Sequence, residues 1–193
     1  MSGVTVALGT PNPRQREFLQ CQKKYVAFGG ARGGGKSWAV RCKAKLLALR
    51  YPGIRLLLVR RSLPELEANH LTFLRRELAE VAEYRAGDKR FVFGNGSILQ
   101  FGYCGSDRDL DRYQGAEYDV IFLDECTQLR EQWMRQFAAC LRGVNDFPKR
   151  IYYTCNPGGP GHSYIKRLFI DRRFEPGENP DDYVFIPARV TDN

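Results

Sequence analysis

The feature that most constrains this chain is a glycine-rich loop between an apolar run and a helical stretch. Residues 30–37 read Gly-Ala-Arg-Gly-Gly-Gly-Lys-Ser, a complete G-x-x-x-x-G-K-S pattern. The apolar run at residues 25–28 predicts a short buried strand, and apolar residues recur at helical spacing over residues 37–51. Strand, glycine loop and helix in this order are typical of a segment that binds phosphate.

The residue types in this loop suit a nucleotide triphosphate. Glycines let backbone N–H groups turn inward around phosphate oxygens, and the start of a helix adds positive partial charge. Lys36 is placed to reach the β- and γ-phosphates, and the Ser37 hydroxyl is placed to bind Mg²⁺. Arg32 is either a phosphate contact within the chain or a solvated arginine. The predicted nucleotide contacts of the loop are Gly30, Ala31, Arg32, Gly33, Gly34, Gly35, Lys36 and Ser37.

A second motif lies further along the chain. Residues 120–123 are apolar and run into Asp124 and Glu125, the pattern of a central parallel strand with acids at its carboxyl end. Asp124 is predicted to hold Mg²⁺, directly or through water. Glu125 is predicted to be the catalytic residue that polarises a water molecule against the γ-phosphate. An apolar run before two acids is common by itself, but beside the glycine loop it favours hydrolysis over binding alone.

Composition is consistent with one α/β domain of cytoplasmic type. A chain of 193 residues can bury a substantial core and usually makes one domain. No apolar run approaches the roughly 18 residues that a membrane span needs, and no signal-peptide pattern is present, so we expect no membrane contact. The six cysteines are scattered and expected to be reduced. His70 and His162 have no plausible metal-ligand neighbour in the sequence, so a zinc site is not expected.

The balance of charge points to a polyanionic partner. The chain has 30 Lys and Arg against 22 Asp and Glu, a formal net charge of +8. A basic solvated surface would give the same total, but clustered cations also suit contacts with phosphates. No sequence-reading module is recognisable, so any DNA would be bound without sequence preference. The clustered cations are Arg55, Arg60, Arg61, Arg75, Arg76, Lys166, Arg167, Arg172 and Arg173.

Strands and helices alternate along the chain. The predicted strands are residues 54–60, 91–93, 97–103, 120–123 and 151–154, and the predicted helices are 64–81, 131–142 and a short one from 163. Residues 94–96, Gly-Asn-Gly, predict a hairpin turn. A strand and a helix separate the two motifs, so their strands need not be neighbours. We expect an α/β P-loop NTPase fold of the RecA-like (ASCE) branch, with a mostly parallel sheet flanked by helices and an inserted β-hairpin.

Four ordered blocks of sequence resemble the N-terminal ATPase domain of the large terminase subunit of tailed bacteriophages. The first is residues 13–19, and the second is residues 28–37, with an arginine inside the glycine loop. The third is residues 109–115 leading into 118–125, and the fourth is residues 154–159, Thr-Cys-Asn-Pro-Gly-Gly. The loop alone is generic, whereas the ordered set is specific and covers nearly the whole chain.

The resemblance implies residue roles that the residues alone do not establish. Gln15 matches a glutamine that contacts the adenine base, and Asn156 stands in the motif that couples γ-phosphate state to DNA movement. Relatives place an arginine that acts on the neighbouring subunit shortly before the glycine that precedes the Asp-Glu strand. This chain has a glutamine directly before that glycine, and Arg112 is the nearby candidate. Local alternatives stay open: a surface Gln15, an Asn156 that starts a turn, and an Arg112 paired with a nearby aspartate.

The resemblance also implies a function and partners. It implies an ATP-hydrolysing, Mg²⁺-dependent motor that moves double-stranded DNA into a prohead, with portal protein and small terminase subunit as partners. It implies a homo-oligomeric ring when assembled, a mostly monomeric isolated fragment, and action in the host cytoplasm rather than in the mature virion. Residues 1–193 would form one ATPase domain, with residues 1–24 as the adenine-recognition segment. The family's nuclease domain would be absent, so no nuclease activity is expected.

Two other functions stay open on the sequence. A RecA-like helicase or recombination ATPase would carry the same motifs, although the aromatic residues of the predicted hairpin are expected in the core rather than on a base-stacking surface. A nucleotide-binding assembly scaffold with little hydrolysis would have no use for Glu125. Steady-state phosphate release separates that scaffold from a motor.

Overall fold

The computed structural model describes residues 8–30 and 33–188, which form an eight-stranded sheet flanked by helices. The strands are β1 (Tyr25–Gly30), β2 (Arg55–Arg60), β3 (Ala82–Arg85), β4 (Arg90–Phe93), β5 (Ile98–Tyr103), β6 (Val120–Leu123), β7 (Arg150–Cys155) and β8 (Tyr183–Ala188). The α-helices are α1 (Pro13–Gln20), α2 (Lys36–Arg50), α3 (Leu63–Leu66), α4 (Thr72–Glu77), α5 (Asp107–Leu110), α6 (Glu131–Ala139) and α7 (His162–Ile165). Two π-helical turns, Glu67–Leu71 and Lys166–Ile170, extend α3 and α7, and 3₁₀ turns lie at Asp111–Tyr113, Cys126–Gln128 and Pro180–Asp182.

The sheet order places the two motifs close together without making their strands neighbours. The order is β3-β4-β5-β2-β6-β7-β1-β8, so β7 separates β1, which leads into the glycine loop, from β6, which leads into Asp124. From β5 to β8 all pairs are parallel. The carboxyl ends of β1, β2, β6 and β7 therefore meet at one edge of the sheet, where ligands bind in open α/β folds. The predicted separation of the two motif strands is confirmed.

The core has two layers, one on each face of the sheet. Val26 and Phe28 of β1 pack into one layer, whereas Ala27 between them packs into the other. Strand β6 divides in the same way, and all four of its residues are buried. Helices α1, α2 and α4 cover the first face, and α6 and α7 cover the second. Burial on both faces explains why these parallel strands are continuously apolar rather than alternating.

The predicted hairpin is part of the main sheet. β4 and β5 pair antiparallel, and Gly96 N–H bonds the Phe93 carbonyl across the tight turn. β5 also pairs in parallel with β2, so the hairpin extends the sheet instead of standing apart from it. A further strand, β3, pairs antiparallel with β4 and was not predicted, because residues 82–85 carry two charges and little apolar pattern.

Several predicted helix bounds are wrong. The helix predicted over residues 64–81 is α3, a π-helical turn and α4, which ends at Glu77. The helix predicted over residues 131–142 ends at Ala139, and α7 begins at His162 rather than at residue 163. The apolar stripe that predicted the first helix does not end with it, because Leu78 is buried in the turn beyond α4.

Several of the clustered cations are already ion-paired. Lys166 Nζ contacts Asp171 Oδ1 at 2.5 Å, and Arg167 Nη1 contacts Glu178 Oε2 at 2.8 Å. Arg60 is buried. Arg60 is therefore not available to phosphates at the surface, whereas phosphate contacts of Lys166 and Arg167 stay a prediction. The six cysteines are free thiols, five of them buried. Within the described ranges, no helix combines the length and apolar character that crossing a membrane requires.

Candidate nucleotide-binding site

A cavity of about 670 Å³ opens at the carboxyl edge of the sheet. Its walls include residues 33–37 of the glycine loop and α2, Asp124 and Glu125 after β6, and Thr154 and Asn156 at the end of β7. The cavity is as large as those that hold small ligands in other proteins. The fold thus brings both sequence motifs to one site.

The backbone of the loop has positive φ angles, which favour glycine, at Gly30, Gly33 and Gly35. Gly30 has φ 136°, and a Cβ there would collide with the carbonyl oxygen of Ala188 on β8. Gly35 has φ 65°, in the left-handed region, and is the N-cap of α2. This turn presents the N-terminus of α2 to the cavity, a natural place for phosphate. Ala31 and Arg32 lie outside the described residues, so their predicted contacts stay predictions.

Lys36 lies on the first turn of α2 and lines the cavity while only 7% exposed. Burial lowers the pKa of its ammonium group, whereas nearby acidic groups, including Asp124 and Glu125, favour the charged form. A buried cation facing two carboxylates across a cavity is suited to a ligand that carries negative charge.

Asp124 is the most densely contacted group of the site. Its Oδ2 atom lies 3.3 Å from Ser37 Oγ and 2.7 Å from His70 Nε2, and Thr154 Oγ1 donates to its Oδ1 atom. Arg60 Nε lies 3.1 Å from Oδ2 as an ion pair without hydrogen-bond geometry. Burial alone would raise the pKa of Asp124, but these neighbours hold that pKa well below its usual range. Asp124 is therefore a buried carboxylate.

Glu125 combines a left-handed backbone conformation with a partly exposed side chain. Its φ is 52°, a left-handed conformation that non-glycine residues adopt at a cost. Thr154 Oγ1 accepts a hydrogen bond of 2.9 Å from the Glu125 N–H while donating to Asp124, so one hydroxyl fixes both acids. The Glu125 side chain is 39% exposed and faces the cavity.

Arg60 joins the two acids. It ends β2, its side chain is only 4% exposed, and its Nη2 atom lies 2.8 Å from Glu125 Oε1 while Nε lies beside Asp124. The planar guanidinium suits such a bridge, because two of its nitrogens point the same way. Arg60 therefore belongs to this site and not to a DNA-binding surface.

Residues 27–193 match the family described as Terminase large subunit, T4likevirus-type, N-terminal. The chain belongs to this family. The match covers most of the chain and includes the glycine loop, both acids and Asn156. No curated protein sequence matches the chain at a significant level.

Solved structures of terminases share the fold. The large terminase of a thermophilic bacteriophage in complex with ADP matches with a TM-score of 0.76 at 18% identity, over 95% of this chain and 46% of that chain. The large terminase ATPase domain of Thermus phage P74-26 gives a TM-score of 0.66 at 16% identity, over 92% of this chain and 80% of that chain. The N-terminal domain of the DNA packaging ATPase from bacteriophage phi29 gives 0.58 at 19% identity, over 89% and 94%.

The predicted α/β P-loop fold of the RecA-like branch is confirmed by the sheet order and by these matches. The chain spans less than half the length of the first of these terminases. At such identities the likeness concerns the fold, and the roles of individual residues rest on the geometry of this chain.

Of the residues that the terminase resemblance singles out, Gln15 is 6% exposed and lies on α1. Its Oε1 atom accepts from the Asn12 N–H in a capping box, and its Nε2 atom lies 3.4 Å from the Gly35 carbonyl. The residue is therefore not an ordinary surface glutamine, since it connects α1 to the start of α2. Base contact by Gln15 stays a prediction.

Asn156 follows β7 and lines the cavity. Its carbonyl accepts a hydrogen bond of 3.0 Å from Thr127 Oγ1, which fixes the backbone. Its side-chain Oδ1 atom is buried and has no hydrogen-bond partner among the described residues. A buried polar atom without a partner is uncommon in native structures and indicates a ligand or water.

Arg112 lies away from the cavity of its own chain. It is half exposed, its Nη2 atom pairs with Asp109 Oδ1 at 2.6 Å, and its guanidinium stacks 4.4 Å from the ring centre of Tyr103. The local pairing that the sequence left open is thus present. Service to a neighbouring subunit stays a prediction.

Three residues of the site were missed by sequence analysis: Arg60, His70 and Thr154. His70, to which sequence analysis gave no role, contacts Asp124, the predicted Mg²⁺ ligand. Arg60 and His70 carry no local motif and reach Asp124 only through the packing of β2 and of the π-helical turn. Thr154 had a usable signal, since it begins the Thr-Cys-Asn-Pro block and a hydroxyl at a strand end commonly binds a neighbouring loop.

Proposed function

We propose that this chain is the ATP-hydrolysing motor domain of a viral DNA-packaging terminase, acting in the host cell to move double-stranded DNA into a prohead. Membership of the terminase family supports the proposal. The observation that carries it is the convergence of Lys36, Ser37, Asp124 and Glu125 on one cavity, from segments that are far apart in the chain.

The loop and α2 bind the triphosphate of ATP. The N-terminus of α2 and the glycine backbone offer N–H groups, and the buried Lys36 contacts the β- and γ-phosphates. Ala31 and Arg32 complete this cradle, and Gln15, held against Gly35, contacts the base. The side-chain amide of Asn156, whose Oδ1 atom is unpaired among the described residues, donates its N–H groups toward the γ-phosphate end and responds to the loss of that phosphate.

Ser37 and Asp124 fit a Mg²⁺ ion. Hard cations take oxygen ligands, and Ser37 Oγ and Asp124 Oδ2 lie 3.3 Å apart at the cavity wall with the carboxylate ionised. Bound there, the ion would neutralise part of the phosphate charge. Ser37 would hold the ion with its hydroxyl oxygen, and Thr154 keeps the other oxygen of the Asp124 carboxylate in place.

Glu125 takes part in the hydrolytic step. Its carboxylate orients the attacking water and accepts its proton. For this it must leave Arg60, to which it is bonded at 2.8 Å, so the conformation described is one in which the catalytic acid is restrained. When Glu125 leaves, Arg60 still lies beside Asp124. Because the buried guanidinium keeps one acidic partner, breaking its contact with Glu125 costs less free energy.

The experiment that tests this function is steady-state phosphate release from Mg-ATP, with Lys36→Ala and Glu125→Gln as separate variants. We expect Glu125→Gln to bind nucleotide and to lose turnover, and Lys36→Ala to lose binding. Turnover by the wild type that neither substitution reduces would overturn the proposed site. Absence of turnover with intact binding would favour an assembly scaffold.

We further propose that residues 1–193 act as one ATPase domain of a homo-oligomeric ring, and that portal protein and small terminase subunit are the partners of this ring. DNA contacts are made without sequence preference, and no nuclease activity is assigned to this domain. The net charge of +8 supports binding to duplex DNA, which should weaken steeply as salt is raised. Fluorescence anisotropy with unrelated duplexes over a salt series tests this, and strong preference for one sequence would contradict it.

Arg112 is proposed to complete the site of the neighbouring subunit. An arginine supplied across an interface can raise the rate by roughly 10³. Mixtures of Arg112→Ala subunits with Glu125→Gln subunits should recover activity that neither variant shows alone, because each supplies what the other lacks. Full activity of Arg112→Ala under assembling conditions would make Arg32 of the same chain the better candidate.

A further inference from the structure

His70 is a buried histidine that belongs to no recognised motif of this chain. Its side chain is fully buried, and Nε2 lies 2.7 Å from Asp124 Oδ2. Because Asp124 is a carboxylate and can only accept, the ring nitrogen that faces it carries the proton and donates. The contact joins the helical segment at residues 63–77 to the metal-binding acid.

A local irregularity of the backbone places this side chain. Glu67–Leu71 is a π-helical turn, closed by the Thr72 N–H on the Glu67 carbonyl. His70 and Leu71, the last two residues of this turn, are both buried. Such turns occur frequently at functional sites.

The position of His70 on the carboxylate separates it from the other donors. Ser37 and Arg60 also approach Oδ2, but Ser37 is needed by the metal ion and Arg60 is shared with Glu125. His70 contacts no other acid among the described ion pairs, and its contact with Oδ2 is the shortest of the three. It can therefore hold Oδ2 whether or not the other two groups move.

The far side of the ring strengthens this argument. His70 Nδ1 is buried and has no hydrogen-bond partner within the described residues. A histidine kept only for packing would pair both nitrogens or be replaceable by an apolar residue. Here one nitrogen is left unpaired while the other meets Asp124. The hydrogen bond to the Asp124 carboxylate is of the kind by which outer-shell groups orient metal ligands in other proteins.

We propose that His70 is a positioning residue for Asp124, which fixes the carboxylate in the orientation that accepts Mg²⁺ with the nucleotide. The inference rests on the proposed function, because it assumes that Asp124 serves a metal ion. The inference predicts that substitution of His70 lowers the Mg²⁺-dependent component of nucleotide affinity. The component that comes from the glycine loop should stay unchanged.

The test compares binding of a fluorescent ADP analogue in Mg²⁺ and in EDTA. His70→Phe keeps the ring volume without the donor, and His70→Gln offers an amide N–H in its place. We expect His70→Phe to weaken binding about tenfold in Mg²⁺ and to leave it unchanged in EDTA. His70→Gln should recover part of the loss. Ala68→Ser, an exposed change on the same turn, is the matched control and should behave as wild type.

Two outcomes overturn the inference. One is that His70→Phe lowers the affinity for the ADP analogue equally in Mg²⁺ and in EDTA and also lowers Tm. That result would indicate a purely structural role for His70. The other is wild-type affinity of His70→Phe in both. If His70→Phe does not fold, His70→Gln and Asp124→Asn with their double variant decide the matter, because residues that act through each other give non-additive losses. A wild type without Mg²⁺-dependent binding defeats the proposed function itself.

Discussion

The two walls of the cavity are built in different ways. One wall is the glycine loop and the start of α2, where the functional groups come from consecutive residues and largely from the backbone. The other is the Asp124 carboxylate, which contacts side chains from α2, the end of β2, the π-helical turn and β7. A loop of consecutive residues needs only its own conformation, whereas the carboxylate cluster needs the whole sheet to be in register.

This difference predicts different consequences of substitution. Loss of the loop lysine should remove phosphate binding and leave folding intact, because that one side chain does little for the core. Damage to the carboxylate cluster should affect stability and catalysis together, since buried charges there compensate one another. Four substitutions test this contrast.

Lys36→Ala should have the largest effect on activity. It removes the cation that faces the phosphates, and we expect kcat/KM for Mg-ATP to fall by about a thousandfold, as when a charge-stabilising donor is lost. Nucleotide titration and phosphate release measure this. Arg50→Ala, exposed at the other end of α2, is the control. A Lys36→Ala protein that unfolds instead would contradict the independence of the loop from the core.

Glu125→Gln should lower kcat by about a hundredfold or more while nucleotide affinity stays near wild type, because a neutral amide cannot accept the proton. Single-turnover kinetics separate the two quantities. Glu131→Gln on α6, at a residue that does not line the cavity, controls for the loss of an acidic side chain. Near-normal turnover by Glu125→Gln would move the base elsewhere.

Arg60→Gln should lower the free energy of unfolding by about 3 kcal/mol, because it leaves two acids without their shared buried cation. Urea denaturation of the nucleotide-free protein measures this. The neighbouring Arg61→Gln, at an exposed position, should change stability little. Equal stabilities of the two variants would show that Asp124 is compensated by His70 and Thr154 alone.

Asn156→Ala should have the smallest effect. Its Oδ1 atom bonds no described residue, so its removal should leave the stability of the free protein unchanged. We expect kcat to fall about tenfold with KM retained if the amide meets the γ-phosphate end only during turnover. Asn156→Asp tests whether this side chain contacts the phosphate, because added negative charge there should weaken ATP binding. Loss of stability in Asn156→Ala would assign the residue to the turn.

Much of the fold was predictable because its cause is local. Apolar runs of four to six residues marked the central strands, and the spacing of leucines marked a helical segment between residues 63 and 77. Residues 82–85 form a strand only because β4 offers a partner, so their own sequence shows little. The π-helical turn escaped prediction because one extra residue per turn is invisible in a short apolar pattern.

The site also has features with a local cause and features that depend on tertiary contacts. The sequence by itself determined the phosphate loop and the strand that ends in Asp124 and Glu125, because backbone conformation and strand burial depend on neighbouring residues. Only the tertiary structure decided that Arg60 restrains Glu125 and that His70 holds Asp124. Those contacts join residues that are 65 and 54 positions apart in the chain. No local signal encodes them, because such distances are set by the order and register of the strands between them.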